Sequence, residues 1–324
     1  MPEKAPDAAE SDGFEFEDSS QHTIENLDRL DVVAHQEAST PRDSLLLTLE
    51  LLSHGHPETP RWIARVREHP HRDAAEFADA MQDCFDQLRA RFRIEDVSRD
   101  ELVWAYRKDG HMLFESEKKS RKLLVAFMTI YNNFFISNLN FHAMLKGLGC
   151  HLLLLKESTL AHYQRGVPGF APDYPSIADQ IQAMADKLGA DQIYLTGFSS
   201  GGYPALHMSL KLPCRGYLGF SHATDMSLDS PLQRPLFVTE EVYARLDQRW
   251  LLDLRIDLER ADPAVPRMLL YGDRATRDTA HARHLAGLNT IRATPLAGVG
   301  HNTIQNLLYR RRLIPAFKQL LGDL

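Results

Sequence analysis

Residues 194–206 read Tyr-Leu-Thr-Gly-Phe-Ser-Ser-Gly-Gly-Tyr-Pro-Ala-Leu. A β-branched and aromatic run, Gln192–Thr196, enters this stretch, and a small-residue helical run, Gly202–Lys211, leaves it. Strand, tight turn and helix follow one another, with Ser199 at the apex. Such a turn strains the serine backbone and exposes its hydroxyl. It tolerates only small flanking residues, because the helix returns close to the strand. Gly197, Ser200, Gly201 and Gly202 are that small. The reading is a nucleophilic serine, and a serine hydroxyl needs a base, an acid and a site for the developing oxyanion.

Working outward, short apolar runs alternate with helical patterns. Leu123–Met128 and His151–Leu155 are continuous apolar runs of the length of strands buried on both faces. Gly216–Phe220, Met268–Tyr271 and Ile291–Leu296 read as further strands. Phe141–Leu148, Pro175–Leu188, Ala280–Leu288 and Thr303–Leu321 read as helices between or after them. Residues 101–115 flank Asp109-Gly110, a tight-turn signal, and read as a hairpin. The fold class is α/β: a mostly parallel sheet with an antiparallel edge, covered by helices on both faces. Active sites of such sheets lie at the carboxyl ends of the strands.

Three positions of chemical interest fall at that edge. Ser199 follows one strand, Asp273 and Asp278 follow a second, and His301 follows a third within Gly298-Val299-Gly300-His301-Asn302. A histidine titrates near neutrality and suits proton transfer from a serine. The acid that orients it is Asp278 or Asp273. Asp278 is preferred, because a carboxylate at the start of the following helix can reach across the top of the sheet. As ordinary structure, Asp278 is a helix N-cap and Asp273 a turn residue.

These residues resemble the α/β-hydrolase superfamily, in the order Ser, Asp, His, over roughly residues 100–324. The family places its acid about three residues past a strand-end glycine, where this chain has Ala275. The resemblance implies an oxyanion hole from the backbone N–H of Ser200 and one from the loop after Leu123–Met128, either Thr129 or Ile130. Tyr131, with Asn132, Asn133, Phe134 and Phe135, would line the entrance. Tyr163 and Arg165 in the next loop at that edge are candidate substrate contacts. The connection Ser221–Arg267, with helix expected over Glu240–Leu258, leaves room for a small lid only.

The N-terminal third has a different character. Residues 1–40 hold eleven Asp/Glu against two Lys/Arg and read as a disordered acidic tail, with Phe14 and Phe16 as possible anchors for a partner. The rest of the chain is close to neutral, which gives no support for a nucleic-acid partner. Residues 41–95 show apolar residues at three- and four-residue spacing and read as a helical appendage or cap, ahead of a main domain over 96–324. His54, His56, His69 and His71 fall in its turns and read as solvated.

No cofactor motif and no metal-ligand spacing appear. Cys84, Cys150 and Cys214 form no disulfide framework. No run has the length of a membrane span and no signal-peptide pattern is present, so a cytoplasmic protein is the expectation. The leading function is cleavage of an ester or thioester of a small-molecule or acyl substrate through an acyl-serine. The same constellation serves an acyltransferase. A reading from another class is an accessory protein of a secretion or surface-glycan pathway, with the hydrolase body as scaffold and the tail or N-terminal helices as docking elements.

Overall fold

In the computed structural model, residues 57–68, 74–91, 110–130, 132–136, 138–157, 162–232, 243–244 and 246–322 are described, together with Thr48 and Leu51. Seven strands form one sheet: β1 His111–Phe114, β2 Lys122–Phe127, β3 His151–Leu155, β4 Gln192–Phe198, β5 Cys214–Phe220, β6 Arg267–Gly272 and β7 Arg292–Leu296. Their spatial order is β1-β3-β2-β4-β5-β6-β7. All neighbours are parallel except β1, which runs antiparallel to β3 with His111 opposite Leu155. The antiparallel edge is therefore made with β3. The first arm of the expected hairpin, residues 101–109, lies outside the described residues.

The helices are α1 Thr59–Arg67, α2 Ala74–Arg91, α3 Asn138–Leu145, α4 Ser176–Leu188, α5 Gly202–Lys211, α6 Leu254–Leu258, α7 Thr276–His284, α8 Thr303–Tyr309 and α9 Leu313–Leu320. Side chains along a strand alternate between faces, and β2 divides accordingly. Leu123, Val125 and Phe127 pack with Ile177 and Ile181 of α4 and Leu206 of α5. Leu124 and Ala126 belong to the opposite layer, with Phe141 of α3 and Phe317 of α9. A strand with helices on both sides has no polar face to show, which is why β2 and β3 read as unbroken apolar runs.

Ile63 and Val66 of α1 and Ala78, Met81 and Phe85 of α2 join this second layer. An exposed ion pair, Arg311 with Asp83, ties α2 to the chain between α8 and α9. The helices of residues 59–91 thus share a core with the sheet. The stretch Ser44–Leu52, expected to be helical, is described at Thr48 and Leu51 only, and both are buried.

One expected element differs. The single helix over 303–321 is two, α8 and α9, because Arg311 takes a left-handed conformation (φ 54°) between them. Over 240–258, where one or two helices are expected, residues 243–244 are helical and the short α6 follows a 3-10 turn at Gln248–Trp250. Asp247 and Asp253 cap these two turns by accepting from the Arg249 and Arg255 amides. Among the described residues, no helix is long and apolar enough to cross a membrane.

Candidate active site

β4 lies at the centre of the sheet between β2 and β5. It ends at Phe198 in extended geometry (φ −121°, ψ 140°), and the chain then turns at Ser199, whose φ is 52°. A non-glycine residue in that region costs of order 1–3 kcal/mol and persists only where its surroundings enforce it. Close packing enforces it here: a Cβ on Gly201 would stand 2.2 Å from the Phe127 carbonyl oxygen of neighbouring β2. The turn continues as a 3-10 segment, Ser199–Gly201, into α5.

His301 arrives from the loop after β7. That loop lies against the end of β6, where a Cβ on Gly272 would stand 1.9 Å from the Gly300 oxygen. Backbone bonds lace the two loops together, Arg274 N donating to Val299 O (2.9 Å). Asp273 adds a side-chain bond, its Oδ1 accepting from Gly298 N at 2.8 Å. Asn302 then caps α8 by accepting from Gln305 N.

These loops bring three side chains into line. His301 Nε2 is 2.9 Å from Ser199 Oγ, and His301 Nδ1 is 2.7 Å from Asp278 Oδ2. A carboxylate oxygen can only accept, so Nδ1 carries a proton and Nε2 of the neutral ring is left to accept from the serine hydroxyl. Asp278 is 1% exposed, in the first turn of α7. Burial works against its charge. The His301 hydrogen bond and charge, with the Arg277 guanidinium, outweigh that, and its carboxyl is held below the usual carboxylate range. The ring of Phe198 lies over the imidazole, with centroids 5.5 Å apart.

The other sequence-predicted residues divide. Asp273 does not reach the histidine; its carboxylate is engaged by the Gly298 amide, so it holds the loop that carries His301. Ser200 follows the serine in the first turn of a helix, where amides lack an intrahelical acceptor. Of the two candidates for the second oxyanion donor, Thr129 is corrected: its N–H is bonded to Asn133 O at 2.9 Å. The Ile130 N–H has no hydrogen-bond acceptor among the described residues. Tyr163 is also corrected as a substrate contact. It is 1% exposed, and its hydroxyl lies 2.7 and 2.9 Å from the Leu155 and Met128 carbonyls, stapling the ends of β3 and β2. Tyr131 lies outside the described residues, and Arg165 is exposed in the turn after Tyr163.

Sequence reasoning missed Arg277 and His222. Arg277 Nη2 lies 3.3 Å from His301 Nδ1 and 3.5 Å from Asp278 Oδ1. Its adjacency to Asp278 carried no signal, since neighbours on a helix do not face the same way. His222 follows β5 at the same sheet edge, and that position was the available clue. Its Nδ1–H donates to Ala223 O and its Nε2 accepts from Tyr217 OH, each at 2.6 Å. Burial pushes its pKa down to about 4 and keeps it neutral.

Among the described residues, the side chains whose potential metal-ligand atoms converge are Asp225, Asp253 and His284, within 4.8 Å of one another. They already bond one another and their neighbours: His284 Nε2 to Asp253 Oδ1, and Ser227 to Asp225. A cleft of about 660 Å³ opens at the amino ends of β5, β6 and β7, where Arg267, Met268 and Arg292 line it, at the opposite edge from Ser199.

No protein-family model and no curated protein matches the chain. Several solved structures resemble part of the chain at low identity, each of the following with a TM-score below 0.5. MenH from S. aureus superposes with a TM-score of 0.45 at 13% identity, over 66% of this chain and 98% of that one. The Paleococcus ferrophilus monoacylglycerol lipase gives 0.43 at 13% identity, over 65% of this chain and 99% of that one. The Pyrococcus horikoshii acylaminoacyl peptidase gives 0.48 at 13% identity, over 66% of this chain but 38% of that longer protein.

Proposed function

We propose that the chain is a serine hydrolase that cleaves an ester or thioester through an acyl-serine intermediate. The observation that carries this reading is the line from Ser199 Oγ through His301 to the buried Asp278 carboxylate, at 2.9 and 2.7 Å.

In the reaction, Ser199 Oγ attacks the carbonyl carbon while His301 Nε2 takes its proton. The imidazolium so formed is stabilised by Asp278, which stays ionised. Negative charge then collects on the former carbonyl oxygen, where the Ser200 and Ile130 amides are the proposed donors. Collapse of the tetrahedral species expels the alcohol or thiol, which receives its proton from His301. Water enters next, gives its proton to His301 and attacks the acyl carbon, and Ser199 is released with its proton restored.

An alkyl fluorophosphonate tests the reading without knowledge of the substrate. Wild type should be labelled covalently at Ser199, and Ser199→Ala and His301→Ala should not be. Absence of labelling in folded wild type, or labelling that persists in Ser199→Ala, overturns it. Turnover over a panel of p-nitrophenyl esters and thioesters then separates hydrolysis from transfer, which needs an added acceptor alcohol.

A further inference from the structure

Arg277 is placed oddly for a residue with only a structural duty. Its guanidinium carries five donors, yet Nη2 alone finds acceptors, and both contacts are long, 3.3 Å to His301 Nδ1 and 3.5 Å to Asp278 Oδ1. The nearer of these is not a hydrogen bond in the working tautomer, because Nδ1 already holds a proton directed to Asp278. Nε and Nη1 have no partner among the described residues. The side chain is 16% exposed, and neither nitrogen is among the buried atoms left without a partner, so both are open to solvent or a ligand.

The electrostatics sharpen the point. Catalysis by His301 requires an imidazolium in the transition state, and a fixed cation against the ring opposes it. Arg277 also draws on the Asp278 charge that should stabilise that imidazolium. In the free protein the guanidinium therefore both supports the Asp278 charge and is a liability toward the imidazolium. The liability disappears if a second anion engages the unused donors while the substrate is bound. The free Nε–H and Nη1–H groups can each donate a charge-assisted hydrogen bond to an oxygen of a carboxylate or phosphate. The guanidinium lies at His301 Nδ1, across the imidazole ring from the nitrogen that faces Ser199.

We propose that Arg277 is a specificity-determining residue, and that the substrates are esters or thioesters whose acyl part bears a carboxylate or phosphate group a short spacer from the scissile carbonyl. This rests on the serine-hydrolase reading. It adds the substrate class, and it gives the arginine a role at the substrate rather than at the fold.

The test is a matched pair, p-nitrophenyl butyrate and p-nitrophenyl hemisuccinate, which differ in a terminal methyl against a carboxylate. A 3-phosphonopropionate ester forms a third arm that separates phosphate from carboxylate. Wild type should favour one of the anionic esters in kcat/KM. Arg277→Gln should lower that preference by about ten- to a hundred-fold, the loss for a charged hydrogen-bonded contact. It should also speed neutral-ester turnover, because the opposing cation is gone. Arg277→Lys should keep part of the preference. Equal loss on all esters, or no anionic preference in wild type, overturns the proposal.

If none of the esters turns over, butyl and 3-carboxypropyl fluorophosphonates give the same comparison as labelling rates at Ser199. Labelling by both at equal rates, in wild type and Arg277→Gln alike, overturns the role of Arg277 alone. No labelling by either in folded protein overturns the serine-hydrolase reading beneath it.

Discussion

At the scale of single residues, the two aspartates after β6 show how little distance separates two roles. Asp278 accepts from His301 Nδ1 at 2.7 Å, and Asp273 accepts from the Gly298 amide at 2.8 Å. Asp278→Asn keeps the shape but can present an N–H where an acceptor is needed, which favours the wrong imidazole tautomer. By analogy with other triad acids, kcat should fall by about 10³–10⁴ with the fold intact. Asp273→Asn keeps an oxygen for the Gly298 amide and should change kcat by less than about ten-fold. Steady-state kinetics on both variants, with circular dichroism as the folding control, decide the assignment; a larger loss in Asp273→Asn reverses it. Both candidates were legible in the sequence as carboxylates past a strand end. The preference between them rested on reach. Arg277 was not legible, because its meeting with His301 depends on how the β7 loop lies against α7.

At the scale of elements, the serine turn depends on backbone that passes too close for a side chain. Strand and helix propensities around Tyr194–Leu206 predicted the strand-turn-helix, and the structure has β4, the 3-10 turn and α5 there. The propensities did not say which glycine meets which strand. Gly201→Ala puts a methyl group 2.2 Å from the Phe127 oxygen, so β2 and the turn must part. Thermal or urea unfolding should show a loss of about 1–3 kcal/mol, as for other overpacked sites. Fluorophosphonate labelling should fall as well, because the shift moves Ser199 relative to His301. Unchanged stability in Gly201→Ala refutes the close approach. The break between α8 and α9 shows the complementary limit. Residues 303–321 read as one helix although Arg310, Arg311, Arg312 and Pro315 interrupt the apolar spacing, and the left-handed Arg311 lets α9 turn so that Phe317 packs against Phe134, Phe141 and Phe220.

At the scale of the whole molecule, titratable groups are buried in several layers at once. His142, His207 and His222 are each pushed down to about pKa 4, with burial the largest cause. A histidine whose folded pKa lies below its unfolded value of about 6.5 takes up a proton on unfolding. Stability is therefore whole above about pH 6.5 and falls as pH drops from there toward 4. His207 is a clean probe. It bonds Tyr174 OH through Nδ1 at 3.0 Å, and its Nε2 is buried without a partner among the described residues. His207→Gln should flatten the dependence of unfolding free energy on pH across that window by about one proton. Equal slopes in variant and wild type would show that His207 does not titrate on unfolding.

The N-terminal helices belong to this scale too. Their periodicity announced an amphipathic face but not its partner. That Met81 and Phe85 meet the layer holding Phe134, Phe141 and Leu307 is a fact of packing between segments far apart in sequence.

The sequence alone determined what depends on short-range pattern. The α/β alternation follows from apolar runs of strand length and helical spacing, and the turn at Ser199 follows from small residues between a strand and a helix. Aspartates and a histidine past later strand ends follow from the same parsing. Local sterics and burial periodicity act over a few residues, so they leave a local trace. The tertiary structure decided what depends on distance between segments. It set Asp278 rather than Asp273 against His301, spent the Thr129 amide on Asn133, sealed Tyr163 beneath the β2 and β3 ends, and set Arg277 beside the imidazole. Each outcome is a difference of a few ångströms between loops that meet only when the sheet assembles, and no pattern along one strand or helix encodes it.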